Sequence, residues 1–262
     1  MVTKFLKKCY VGLVLLFLYA PIIVLAVFSF NSSKSRGQWS GFTLKWYVEM
    51  FQDRNIMSAL YYTVIIAILS ATIATVIGIA TAIGIHNMNK INKSIIMNLT
   101  YLPVLNPDIV TGISLMVLYI FMKLELGFLT MLLAHITFNI PYVILSILPK
   151  LKQMNKHLYE AALDLGATPF YAFRKVILPE IMPGVVTGFI LAFTLSIDDF
   201  VISFFTTGAG VSNLSILIYS MARRGISPTI NALSTLLFIC VLLLLLFVNR
   251  GKNNEISRKG NA

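Results

Sequence analysis

The chain has 262 residues, of which 58% are hydrophobic and only 12% charged. That is too little charge to clothe a soluble domain of this length, so lipid is the expected solvent for most of it. The net charge of +11 would suit nucleic acid, but in so apolar a chain it reports cytoplasmic loops, and a nucleic-acid role is set aside.

About 20 apolar residues cross a hydrocarbon core of about 30 Å, so the length accommodates about six helices with modest loops. The expected architecture is an all-α membrane protein forming one transmembrane domain over 1–262. The first span is 9–30, preceded by Lys4, Lys7 and Lys8. It is longer than a signal-peptide apolar region and lacks a small-residue cleavage site, so it is expected to stay in place. Cys9 and Cys240 fall in apolar runs and read as inert buried thiols rather than a disulfide.

The loop 31–58 carries Trp39, Trp46 and Tyr47, which suit an amphipathic helix on the outer surface with its aromatics at the interface. A second span follows at 59–85 and a third at 95–122. The third is interrupted by LPVLNPD (102–108), where two prolines remove backbone donors. The fourth is 127–149, and its His135 reads as hydrogen-bonded packing rather than a proton relay.

Residues 150–182 are polar and punctuated, and too short of apolar residues to cross a bilayer. Asn155 is an expected N-cap for a helix over 156–165, with Gly166 as its left-handed C′ residue. Thr168-Pro169 opens a second helix through Leu178. Pro179 and Pro183 are then expected to separate it from the fifth span, 183–206. Helices this short are marginal alone. Ala161 and Ala162 would let another backbone approach, Leu158, Tyr159, Leu163 and Leu165 surround them, and Glu160 and Asp164 form a like-charged pair one turn apart. That content favours docking against a partner, with packing on the same chain as the alternative.

The fifth span contains Gly184 and Gly188 at a GxxxG spacing, which permits close helix packing but recurs by chance. It also holds Asp198 and Asp199 in its outer half. With Asp108 in the broken third span, these acids have no Lys or Arg at comparable depth, and charge inside a membrane calls for a reason. A water-filled, negative lining is one. Backbone capping, or pairing with Arg223 or Arg224, is the other, and for Asp108 an Asn-Pro-Asp turn is the plainer account. Adjacent helical residues point about 100° apart, so one acid rather than both would face a pore, and Asp198 is preferred. The sixth span is 230–249, followed by a tail at 250–262. No residues have metal-ligand spacing.

Segments 1–8, 86–94, 150–182 and 250–262 hold 14 of the 21 Lys and Arg residues, and the alternating segments hold 7. This bias expects both termini and the 150–182 loop in the cytoplasm.

Glu160-Ala161-Ala162, three residues, Gly166, nine residues, then Val176-x-Leu178-Pro179 resembles the EAA loop of ABC-importer permease subunits. Only Val176, where the family has Ile, departs from the pattern. SIDDFVISFFTTG (196–208) and IYSMARRGISPTINAL (218–233) are similar to a permease of spermidine/putrescine importers. The resemblance covers essentially the whole chain. It implies a coupling helix seated in a separate ATP-binding subunit, with Glu160, Ala161, Ala162, Asp164, Gly166, Leu178 and Pro179 carrying the contact. It further implies a second permease subunit, favouring a heterodimer, an extracytoplasmic polyamine-binding protein, and a bacterial inner (plasma) membrane.

The chain has no G-x-x-x-x-G-K-[ST] loop, so ATP and Mg are expected on the partner, with no cofactor here and no enzymatic activity. For a polyamine, Asp198, Asp199 and Asp108 would attract the ammonium groups, while Phe193, Phe200 and Tyr219 would cover the stem. Permeases for phosphonate, iron or thiamine share the loop, although anionic cargo would favour basic residues in the path. An ion-coupled secondary transporter would fit the acids but give the loop no purpose, and no nucleophile–base pair supports an enzyme.

Overall fold

The computed structural model describes residues 2–34, 38–155, 157–225, 227–240 and 242. Two compact units emerge, one combining 1–57 with 218–262 and the other spanning 58–217.

In the first unit, α1 (Val2–Phe28) is a lipid-length helix with no buried residue in its most apolar window. Asn31 organises the turn that follows. Its Nδ2 donates to the Gln38 carbonyl at 2.8 Å, its Oδ1 accepts from the Ser40 amide at 2.9 Å, and its own carbonyl accepts from Trp46 Nε1 at 2.6 Å. These bonds hold α2 (Lys45–Gln52) against the turn. Trp46 is therefore buried as a structural anchor, and only Trp39 keeps the exposure expected of an interface aromatic. Ile22 and Leu25 of α1 share an apolar hollow with Ser234, Thr235 and Phe238 of the helix Pro228–Cys240. The expected sixth span, 230–249, begins within this helix, and its positions beyond 240 other than 242 lie outside the described residues, as does the 250–262 tail. Cys9 and Cys240 are free and exposed rather than buried.

The second unit is built around three helices, α3 (Arg54–Asn87), α6 (Phe128–Gln153) and α9 (Leu178–Asp198). Along α3, Ala67, Ala71, Ala74, Gly78 and Ala82 recur every three or four residues and lie on one buried stripe. A Cβ on Gly78 would meet Val143 Cγ1 at 2.5 Å. On α9, a Cβ on Gly184 would meet the Ser146 carbonyl oxygen at 2.8 Å, and one on Gly188 the Val143 Cα at 3.2 Å. The GxxxG spacing is thus used: small residues on two helices let α6 approach both, which is how helices associate when lipid removes the hydrophobic drive. Gly184→Leu is expected to cost about 1–3 kcal/mol of packing. Thermal unfolding of the purified protein in detergent checks this, with Gly12→Leu as control because a Cβ there meets nothing within 4 Å. Equal stability of the two variants would refute the packing account.

The break expected within 102–108 of the third span is present, whereas the separation expected before the fifth is not. The third span is two helices, α4 (Lys90–Leu105) and α5 (Asp108–Phe121), bent by 105°. Pro103 is absorbed inside α4, whereas the break falls at Asn106-Pro107. A residue before proline is pushed out of the helical region, and Asn106 is extended at φ −74°, ψ 143°, followed by Pro107 at ψ 138°.

The helix that carries the fifth span is not separated at Pro183, and it breaks after Asp198. The chain is helical from Pro169 to Asp198 without the separation expected at Pro179 and Pro183. Helix α8 (Pro169–Ala172) passes into a π-helical turn, Phe173–Ile177, and directly into α9. Leu178 N–H reaches back five residues to the Phe173 carbonyl, and this wider turn makes room for the proline that follows. At the far end Asp199 is extended, and a short α10 (Val201–Thr206) packs on α5 and α6. The last helix before residue 226 is α11 (Leu214–Arg224).

Four helices among the described residues are long and apolar enough to cross a membrane, or five if the α4–α5 pair forms one span.

Candidate functional site

The 150–182 segment folds as a short helix turned at Gly166 into the helix that begins at Pro169. Asn155 Oδ1 accepts from the His157 amide at 3.1 Å, opening α7 (His157–Asp164). The helix closes on Gly166, at φ +84°. Gly166 N–H donates to the Leu163 carbonyl at 2.8 Å and Ala167 N–H to the Ala162 carbonyl at 3.1 Å. That pair of bonds is a Schellman cap, which requires the left-handed residue glycine supplies most cheaply. Thr168 Oγ1 then accepts from the Tyr171 amide at 3.3 Å, with Pro169 in the first turn. The expected caps are all in place.

What the segment displays is apolar. Leu165 is 89% exposed, Phe170 72% and Tyr171 56%. Ala162, Leu165, Gly166, Ala167, Thr168, Tyr171 and Val176 line a shallow hollow of about 510 Å³. Ala161 stands exposed on α7, with Glu160 and Asp164 one turn apart and both in solvent. His157 Nδ1 lies 3.3 Å from Glu160 Oε2 in an exposed pair that contributes little stability. A second hollow brings Tyr159 and Glu160 beside Ile83, His86 and Asn87 at the end of α3. Leu178 packs against the main core while Pro179 is exposed. Phe170 and Tyr171 escaped the sequence reading, and their proximity to the Thr168-Pro169 cap was the available signal.

The two acids of the fifth span differ in burial and in partners. Asp199 is turned inward, its side chain only 8% exposed. Its Oδ1 accepts from the Ile202 amide at 3.2 Å, and its Oδ2 accepts from the Ser203 amide at 2.7 Å and the Ser203 hydroxyl at 2.8 Å. It is therefore the cap of α10. Ser203 gives its single proton to Asp199, so it must accept from His135 Nε2 at 2.9 Å and Asn213 Nδ2 at 2.8 Å. His135 is buried packing, with its proton on Nε2.

A second buried cluster joins three helices: Ser70 and Ser196 meet at 3.0 Å, and Asn139 Nδ2 donates to Ser196 at 2.8 Å. Polar residues inside apolar runs were visible in the sequence, but not their pairings.

Asp198, by contrast, is the last residue of α9 and is exposed. Among the described residues its carboxylate has no ion-pair partner. Asp108 is also exposed, in the first turn of α5, and no side chain caps that helix, so the turn-capping account does not hold for its carboxylate. Phe193 stacks on Phe189 at 6.4 Å against the core, about 140° around the helix from Asp198, and does not share its face. Phe200 sits at the α9–α10 break with its ring 5.4 Å from Phe204. Tyr219 belongs to the other unit, where Arg223 lies 5.9 Å over its ring.

Residues 74–251 match the family described as binding-protein-dependent transport system inner membrane component. The chain belongs to that family. It is a permease subunit of an ABC importer, a multi-pass inner-membrane transport component rather than an enzyme. Among its relatives is the spermidine/putrescine transport system permease protein PotC of Escherichia coli K12, 39% identical over 246 residues, which covers 94% of this chain and 93% of that one. The putrescine transport system permease protein PotI of the same strain is 40% identical over 228 residues, covering 84% and 81%. In fold, the permease resembles a chain of a bacterial ABC transporter that imports the acidic polysaccharide alginate. The TM-score is 0.81 at 12% identity, covering 95% of this chain and 96% of that one.

Proposed function

We infer that the permease forms half of the translocation pathway of a polyamine importer. In this reading, spermidine or putrescine is delivered by an extracytoplasmic binding protein and passes between this chain and a second, different permease subunit. A separate subunit binds ATP and Mg and grips the 150–182 loop, so this chain carries no cofactor. Six spans, with both termini and the loop in the cytoplasm, complete the arrangement as one transmembrane domain.

The observation that carries the reading is Asp198, an exposed carboxylate at the end of an apolar helix with no cationic partner among the described residues. A bare carboxylate facing lipid would cost about 2.5–3.5 kcal/mol, whereas one lining water attracts ammonium. Likeness to PotC and PotI supports the cargo, and the Schellman-capped α7 with its exposed apolar hollow supports coupling. Closure of paired ATPases would push on the α7 hinge. Because α8, the π turn and α9 are continuous, that push would pass along the helix that ends in Asp198.

Asp198→Asn is expected to lower spermidine and putrescine uptake by about tenfold in the reconstituted importer, with the ATPase still co-purifying. Unchanged uptake kinetics would remove Asp198 from the pathway.

A further inference from the structure

The exposed side of α9 carries a second acid that the composition of the span conceals. Glu180 and Asp198 are both exposed, and the separation between them is about five complete turns, so they share an azimuth and stand about 27 Å apart along the axis. Between them Thr187, Leu191 and Thr194 are also exposed, and all five positions fall within an arc of about 60°. The buried residues Gly184, Gly188 and Ala192 lie to one side of this arc, against α6 and the core. Met182 and Val186 are exposed as well, but more than about 100° around the other way, and they are apolar. One exposed surface is thus divided into a polar stripe and a greasy one.

The hydroxyls on the stripe are oriented by their own helix. Thr187 Oγ1 donates to the Pro183 carbonyl and Thr194 Oγ1 to the Ile190 carbonyl, each at 2.8 Å. With their protons directed inward, both threonines present only lone pairs outward. The polar side-chain atoms of the stripe are therefore acceptors alone, a carboxylate at each end and two hydroxyl oxygens between, with Leu191 as an apolar position among them. Glu180 has no ion-pair partner among the described residues. Lys150, whose stem lies against Gly184, forms none with it. An ammonium group has three donors and no acceptor, which is the complementary set. The separation of about 27 Å between the two acids is comparable to a hydrocarbon thickness of about 30 Å, with Glu180 on the cytoplasmic side.

We propose that the Glu180–Asp198 face of α9 lines the pathway as an acceptor-only track for organic ammonium cargo, with Glu180 as its inner station. This rests on the polyamine reading above and extends it from an entrance acid to a continuous path. Glu180 draws the cation inward from the threonines and yields it to the cytoplasm.

The test uses the reconstituted importer in proteoliposomes with Cys9 and Cys240 replaced by serine. Single variants Thr187→Cys, Thr194→Cys and Val186→Cys are treated with a water-soluble cationic thiol reagent, and modification of this chain is followed by mass. Thr187→Cys and Thr194→Cys are expected to react about tenfold faster than Val186→Cys, because only an ionised thiol in water reacts readily. Spermidine should slow both. Glu180→Gln is expected to reduce uptake about tenfold while binding-protein-stimulated ATP hydrolysis persists, and Glu180→Asp should retain most of it. Equal labelling at 186, 187 and 194 would overturn the track, and wild-type uptake by Glu180→Gln would overturn the inner station. If the unmodified importer carries neither amine while the labelling contrast holds, the cargo assignment falls and the water-lined face stands.

Discussion

Gly166→Val will disconnect ATP hydrolysis from uptake, leaving basal hydrolysis in the reconstituted importer and almost no transport. The reason is conformational, not steric. A Cβ at this position meets nothing within 4 Å, yet the residue sits at φ +84°. A left-handed backbone costs an ordinary residue about 1–2 kcal/mol, and valine, branched at Cβ, is among the worst candidates for it. At about 1.4 kcal/mol per factor of ten, the equilibrium constant for the capped turn falls by a factor of about 5 to 30. Without the turn, α7 and α8 no longer hold their angle, and the hollow lined by Ala162, Leu165 and Tyr171 disperses. Gly166→Asn supplies the control, because asparagine tolerates the same backbone, and it should transport nearly normally. Wild-type uptake with valine at 166 would show that the turn is not the joint through which force enters.

Asp199→Ala will destabilise the protein by about 2–4 kcal/mol, whereas Asp198→Ala will scarcely change its unfolding temperature. The neighbours have opposite duties. Asp199 terminates two backbone amides at the start of α10 and takes the Ser203 proton, so its removal strands donors in an interior that offers no water. His135 and Asn213 lose the orientation of the hydroxyl they share. Asp198 is exposed and offers only its backbone carbonyl, which Ser215 Oγ approaches at 3.3 Å. Thermal unfolding of the two variants in detergent makes the comparison. Equal stability would contradict the assignment of Asp199 as the cap.

Much of the 150–182 loop was legible because its signals are local. Asn155, Gly166 and Thr168-Pro169 act through backbone geometry within a few residues, and each behaves as its chemistry dictates. Where the sequence misled, a local signal was overridden. Pro179 and Pro183 read as a stop, yet a π turn over Phe173–Ile177 accommodates the missing donor and joins α8 to α9. In the broken third span the two prolines looked equivalent, and only Pro107 opens the 105° bend.

Lipid determined what the sequence by itself could specify: long apolar runs, the GxxxG and alanine stripes that suit close helix contact, and a polar loop too charged to be buried. Each is a property of one segment and its solvent. Tertiary structure decided which acid faces in and which faces out, because a shift of one residue rotates a side chain by about 100° and the register is set by distant partners. Ser70 and Ser196 are separated by 126 positions and meet at 3.0 Å. His135 and Ser203 are separated by 68. Only folding brings such groups together, since the buried hydrogen bonds that fix the register of α9 do not exist until the helices are packed.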